Sequence, residues 1–279
     1  MNTLSRLAGL LLTAMLAVST QADSPASPPA ETQPPQIAII FDDIGNSYRR
    51  GRQAISLPAA FTYAVLPFTR HSKALANRAH HLGKEVMVHL PMQNEADRPL
   101  GPAGVHESLG REEFRQIVSD ALKGVPHAAG LNNHMGSLLT RRSQQMLWLM
   151  EVLKEGDYYF IDSRTTPLTV ASVVALQNDI LSASRDVFLD NERAEVAIDR
   201  QFRELLAMAE ARGTAIGIGH PYPETIAYLK HAVTKLPASG IEIVPVSVIL
   251  ERRIRDATTL SVARGTKTST PTSEKNQVN

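Results

Sequence analysis

The stretch Ile37-Ala38-Ile39-Ile40-Phe41-Asp42-Asp43-Ile44-Gly45 is five apolar residues that end in two adjacent carboxylates and a glycine. The apolar run reads as a buried strand, and the glycine permits a turn directly after it. Two acids where a hydrophobic strand emerges are costly unless a metal, a hydrogen-bond network or a catalytic task compensates them. Capping of the following loop or helix by Asp42 and Asp43 is the ordinary alternative.

Working outward, the chain alternates strand-like and helix-like segments. Further strand candidates are 61–66, 85–90, 128–131, 158–161, 180–183, 214–218 and 241–246. Between them run helical stripes, such as Phe114, Ile117, Val118, Ala121 and Leu122, or Ile198, Phe202, Leu205, Leu206 and Ala209. Strands apolar throughout, separated by amphipathic helices, predict an α/β fold with a parallel sheet covered on both faces. About seven such units suit a (β/α) barrel better than a short open sheet, and no G-x-G-x-x-G follows the first strand.

In such a barrel, function gathers at the C-terminal ends of the strands. The third strand ends in His89, the fourth delivers Asn132, Asn133 and His134, and the fifth delivers Asp162 and Arg164. The segment after 214–218 delivers His220 and then Tyr222. Any lone polar residue there could be a satisfied structural one, but the recurrence at one architectural level argues for a site. The sequence contains no cysteine, so a metal would have to be held by His, Asp, Glu or other oxygen donors. A carboxylate and two imidazoles suit Zn²⁺ or another divalent ion. With a second carboxylate as base and a histidine as acid, this is a parts list for metal-assisted amide or ester hydrolysis. Asp190, Asn191 and Glu192 read instead as the capped start of a helix over 192–212, and Asp162 with Arg164 admits an alternative as a buried ion pair.

Five motifs taken in order carry a family resemblance: Phe41-Asp42-Asp43-Ile44-Gly45, His89-Leu90-Pro91-Met92, Asn132 to Ser137, Asp162-Ser163-Arg164-Thr165 and Gly219-His220-Pro221. The chain from Ile37 to Leu250 resembles the divergent polysaccharide deacetylases, a branch of the NodB-homology carbohydrate esterases. The resemblance implies a distorted (β/α) barrel of about seven parallel strands and deacetylation of an N-acetylated glycan. It implies Asp42 as catalytic base, Asp43 and His89 as metal ligands, and His220 as acid, with Zn²⁺ the expected ion. Gln93 stands where the typical pattern has a second metal-binding histidine, and His134 is expected to replace that nitrogen from the next strand. No Arg-x-Pro-Tyr segment is evident, so Asp162 and Arg164 are expected to take its charge-orienting role. Asn133 and Tyr222 are the candidate substrate-binding residues.

The ends read differently from the domain over 37–251. A basic start, the uncharged run Leu7 to Val18 and Ala22 resemble a secretory signal cut after Ala22, with an uncleaved N-terminal anchor as the alternative. Residues 23–36 read as a disordered linker and 252–279 as a disordered tail. Together these predict a periplasmic or secreted protein with no membrane span after cleavage. A formal charge of +1 argues against a nucleic-acid partner. The expected partner is a glycan of the cell envelope, peptidoglycan being one candidate. The rival class is a non-catalytic glycan-binding or envelope-assembly protein on a deacetylase scaffold.

Overall fold

The computed structural model describes residues 33–265. The signal and nearly all of the linker, like residues 266–279, lie outside the described residues.

Among the described residues, nine strands form one sheet: β1 (Gln36–Ile44), β2 (Thr62–Val65), β3 (Glu85–Met92), β4 (Ala128–Met135), β5 (Tyr159–Asp162), β6 (Ser182–Ser184), β7 (Val187–Phe188), β8 (Thr214–Gly219) and β9 (Glu242–Ile243). They run in the order β6-β5-β4-β3-β2-β1-β8-β7, with β9 added to β1. Every pairing is parallel. The helices are α1 (Tyr48–Ile55), α2 (Ser72–His81), α3 (Arg111–Gly124), α4 (Ser143–Glu155), α5 (Ala171–Gln177), α6 (Glu195–Arg212), α7 (Pro223–Ala232), α8 (Leu236–Ser239) and α9 (Val246–Gly265). The architecture is the expected α/β one, a distorted (β/α) half-barrel. Of the strands, the two-residue β7 is the one with no counterpart among the candidates, because two residues carry no period.

Side-chain alternation sorts the strands onto two faces. On β1, Ile37, Ile39 and Phe41 join the larger core with α1 to α7, while Ala38 and Ile40 join a second cluster. That cluster holds Met87, Tyr159, Ile161, Ile216 and Ile218, covered by Val246, Ile249 and Leu250 of α9. In the larger core Phe41 stacks on Tyr63, with centroids 5.7 Å apart, and meets Phe61 edge-on at 5.3 Å. Each such buried side chain contributes about 1.5–3 kcal/mol.

The chain between β6 and β8 crosses the opening of the sheet. Arg185 N donates to Asp162 O, and Asp186 N to Ile216 O, each at 2.9 Å. The domain also extends beyond residue 251: α9 continues to Gly265, and buried Arg252 donates to Pro34 O at 2.6 Å and to Gln33 O at 3.3 Å. The polar composition of 252–265 conceals this, because one arginine bonded to backbone carbonyls leaves no apolar period. Among the described residues, no helix is long and apolar enough to cross a membrane.

Candidate metal centre and active site

Continuing the alternation past the second cluster locates the site. Ala38 and Ile40 lead to Asp42, Met87 leads to His89, and Ile216 and Ile218 lead to His220. On β4, Leu131 faces the larger core, so Asn132 and His134 face the same way as Asp42. The register sets His89 beside Asn132 and Pro91 beside His134.

Adjacent strand residues normally point to opposite faces, so Asp43 should point away from Asp42. It does not, because Asp43 is left-handed at φ 57° and the β1–β2 register shifts between Phe41 and Ile44. Aspartate tolerates this conformation better than most residues. Gly45 completes the turn at φ 132°, where a Cβ would collide with Thr69 Oγ1. The kink brings both carboxylates to one site.

Three donor atoms converge there. His134 Nδ1 lies 3.0 Å from Asp43 Oδ1 and 3.0 Å from His89 Nε2, and His89 Nε2 lies 3.4 Å from Asp43 Oδ1. Ligands bound tetrahedrally at zinc distances stand about 3.3 Å apart, so these spacings fit one ion held by three protein ligands and an open position. Asp43 Oδ1 is buried, and its nearest polar neighbours are the two imidazole nitrogens, the surroundings of an oxygen that can share one cation with them. Burial would raise the Asp43 pKa, but hydrogen bonds and charge from His134 and His89 outweigh it and hold the carboxyl well below its ordinary range. The group is therefore available as a carboxylate.

Asn132 ties this cluster to the second acid. Its Oδ1 faces His89 Nδ1 at 2.7 Å and its Nδ2 donates to Asp42 Oδ1 at 2.8 Å. That amide orientation places the proton on His89 Nδ1 and leaves Nε2 free as a ligand. Asp42 is buried, and burial raises its pKa despite the nearby His89 and His220 and the Asn132 hydrogen bond. A carboxylate so placed is a stronger base than one in water.

His220 closes the site, with Nε2 3.9 Å from Asp43 Oδ2. Its Nδ1 donates to Asp190 Oδ1 at 2.9 Å, while Asp190 Oδ2 accepts from His220 N at 2.6 Å and Thr225 Oγ1 at 2.7 Å. Burial lowers the His220 pKa, but the Asp190 hydrogen bond and charge, with Asp42 and Asp43 behind them, raise it to about 9. Asp190 is thus no helix cap. α6 begins at Glu195 after Ala194, and Asp190 is a buried orienting residue for His220. The neighbouring Asn191 and Glu192 disguised it as part of a helix start.

Not every predicted residue joins the cluster. Phe160 faces the larger core, so Asp162, two residues on, faces away from Asp42. Its Oδ1 accepts from Arg164 N and its Oδ2 from Thr169 Oγ1, both at 2.9 Å. Asp162 is thus a loop-organising residue rather than a catalytic one, and no ion pair joins it to exposed Arg164 among the described residues. Arg164 does line the cleft above the cluster, as do Asn133 and Tyr222. Asn133 is largely occupied in holding backbone, accepting from Ser163 N at 2.9 Å and donating to Met135 O at 2.8 Å. Tyr222 stacks on His220, centroids 5.1 Å apart. Gln93 is engaged elsewhere, its Oε1 accepting from Glu107 N at 2.8 Å.

The parallel half-barrel thus gathers an Asp-His-His cluster, a second buried acid and an oriented histidine at its strand ends. Residues 39–250 match the model of the divergent polysaccharide deacetylase family, and the chain belongs to that family. It is 35% identical to the uncharacterized protein YibQ of Escherichia coli K12, covering 80% of this chain and 70% of that protein. It is 33% identical to an uncharacterized protein of Haemophilus influenzae, over 72% of each. The crystal structure of an uncharacterized protein from Agrobacterium tumefaciens C58 shares the fold, with a TM-score of 0.75 at 21% identity, over 80% of this chain and 92% of that one.

Proposed function

We propose that this protein is an exported, divalent-metal-dependent hydrolase that removes acetyl groups from an N-acetylated glycan of the cell envelope. The observation that carries the reading is the convergence of Asp43, His89 and His134 beside Asp42 and His220. Zn²⁺ held by those three ligands would polarise the acetamide carbonyl and lower the pKa of water. Asp42, anchored through Asn132, is the base that takes a proton from the attacking water. His220, charged at neutral pH and aimed by Asp190, delivers a proton from Nε2 to the departing amine. The products are acetate and the free amino sugar, so one water is consumed and the protons balance.

The apolar run at the start of the sequence supports export, and the envelope is where an exported deacetylase meets polymeric N-acetyl sugars. The test is acetate release from chitooligosaccharides and peptidoglycan by the zinc-loaded protein, alongside its metal content. Release abolished in Asp42→Asn with zinc retained supports the reading. Absence of release from both glycans, with zinc bound, favours the glycan-binding alternative.

A further inference from the structure

The cleft above the cluster, about 550 Å³, is rimmed by guanidinium groups. Arg98, Arg164, Arg185 and Arg193 all line it. None of the four has a carboxylate within ion-pair distance among the described residues. Unpaired arginine is ordinary on an open surface. Arg98, Arg164 and Arg193 stand exposed at the rim, whereas Arg185 is half-buried, where losing water costs a cation stabilisation.

Two of these side chains are held in place. Arg185 is half-buried, and its Nε donates to Ser163 O at 2.7 Å while Nη2 donates to Arg164 O at 2.9 Å. Its guanidinium lies 4.9 Å from the Phe188 ring centroid. Carbonyl oxygens accept from these N–H groups, and Asp42, Asp162 and Asp186 act on its charge only from beyond ion-pair distance. Arg193 lies 3.7 Å over the Tyr222 ring, which in turn stacks on His220. A row of Arg193, Tyr222 and His220 therefore runs from the rim to the proton donor.

The loop between them is built as well. Arg164 has a left-handed backbone at φ 48°, fixed by its N–H bond to Asp162. Beside it Ser163 Oγ is buried in the cleft wall with no hydrogen-bond partner. A buried unpaired hydroxyl in a cleft wall is a vacant donor. An acetamide is neutral, and the negative charge that develops on its oxygen during hydrolysis falls where the Asp43, His89 and His134 cluster would hold a metal, which leaves the rim arginines for another part of the substrate.

The geometry points to a substrate in which the N-acetylated sugar carries a carboxylate, an acid of the lactyl-ether or uronic type, gripped by Arg164, Arg185 and Arg193. A planar guanidinium fork matches a carboxylate in two parallel bonds, and Ser163 Oγ supplies a further donor. This inference rests on the reading of the cleft as a glycan site and adds what distinguishes one glycan from another.

Calorimetric titration of the purified full chain compares three probes of equal length: a neutral N-acetylglucosamine oligomer, a glycan with free lactyl carboxylates, and its methyl ester. The free acid is expected to bind about tenfold or more tighter than the ester, as one charge-assisted hydrogen-bond pair allows. The preference is expected to shrink with added salt. Arg164→Gln and Arg193→Gln should each reduce it while leaving the affinity for the ester within about twofold. Equal binding of acid and ester by the wild type overturns the inference, and so does an equal loss for acid and ester in both variants. Acetate release followed in the same samples separates the two readings. An intact acid preference without release counts against the hydrolase alone, and release without preference counts against the carboxylate alone.

Discussion

Asp190 holds His220 by two contacts at once, one carboxylate oxygen on Nδ1 at 2.9 Å and the other on the backbone N–H at 2.6 Å. The imidazole cannot rotate without breaking the first contact, so Nε2 stays aimed at the cluster. In metal-free protein, His220 should titrate near 9 by NMR, against an ordinary 6.5. Because the folded pKa is the higher one, the associated stability is present in full below about pH 6.5 and is lost as pH rises through about 9. Asp190→Asn should return the titration toward 6.5 and flatten that dependence. It should also cost acetate release about 10²-fold, the usual scale of a misplaced proton donor.

His134 is expected to be a ligand although it comes from the strand beside the one carrying His89. His134→Ala should lower zinc content well below that of the wild type under the same loading, as measured by mass spectrometry. Unchanged stoichiometry would remove it from the ligand set.

Asn132 touches no metal but fixes both His89 and Asp42. Asn132→Leu should weaken zinc affinity about 10- to 100-fold, the cost typical of losing a partner behind a ligand. Competition with a chromophoric chelator reads this directly.

Gln93→His should not rebuild the typical two-histidine pattern. The Gln93 side chain is bound to Glu107 N, and the second nitrogen at the cluster already comes from His134. Zinc stoichiometry should stay as in the wild type, with a stability cost of about 1 kcal/mol for the lost hydrogen bond. A second bound equivalent would reveal a site the present geometry does not contain.

Asp162→Ala should destabilise the fold by about 1–3 kcal/mol in urea denaturation, because the part-buried hydrogen bonds from Arg164 N and Thr169 Oγ1 go unmade. Its effect on zinc content should be small, since Asp162 faces the larger core. Loss of metal in this variant would reverse that assignment.

These residues mark where sequence reasoning works. Asp42, His89 and His220 lie at period-two spacing from apolar residues of their own strands, so strand patterning alone places them together at one end of the sheet. Asp43 breaks the period. Its convergence with Asp42 depends on a left-handed residue and a register shift, which the flanking glycine hints at but does not fix. Asn132 was visible at a strand end, yet its bridging role appears only once β3 and β4 lie in register. Asp190 was hidden altogether, because an acid followed by Asn and Glu has the look of a helix start and its partner lies thirty residues away.

By itself the sequence determined the alternation of buried strands and amphipathic helices, the level at which polar residues gather, and the chemical types present there. Those follow from periodicity and composition, which are local. Only the tertiary structure decided which residues meet: Asp43 turned toward His89 and His134, Asp190 behind His220, Asp162 facing the other way, and a ring of arginines over the cleft. Such meetings depend on register, backbone handedness and the parallel order of the strands, and apart from the local contacts of Asp162 they join residues far apart in the chain.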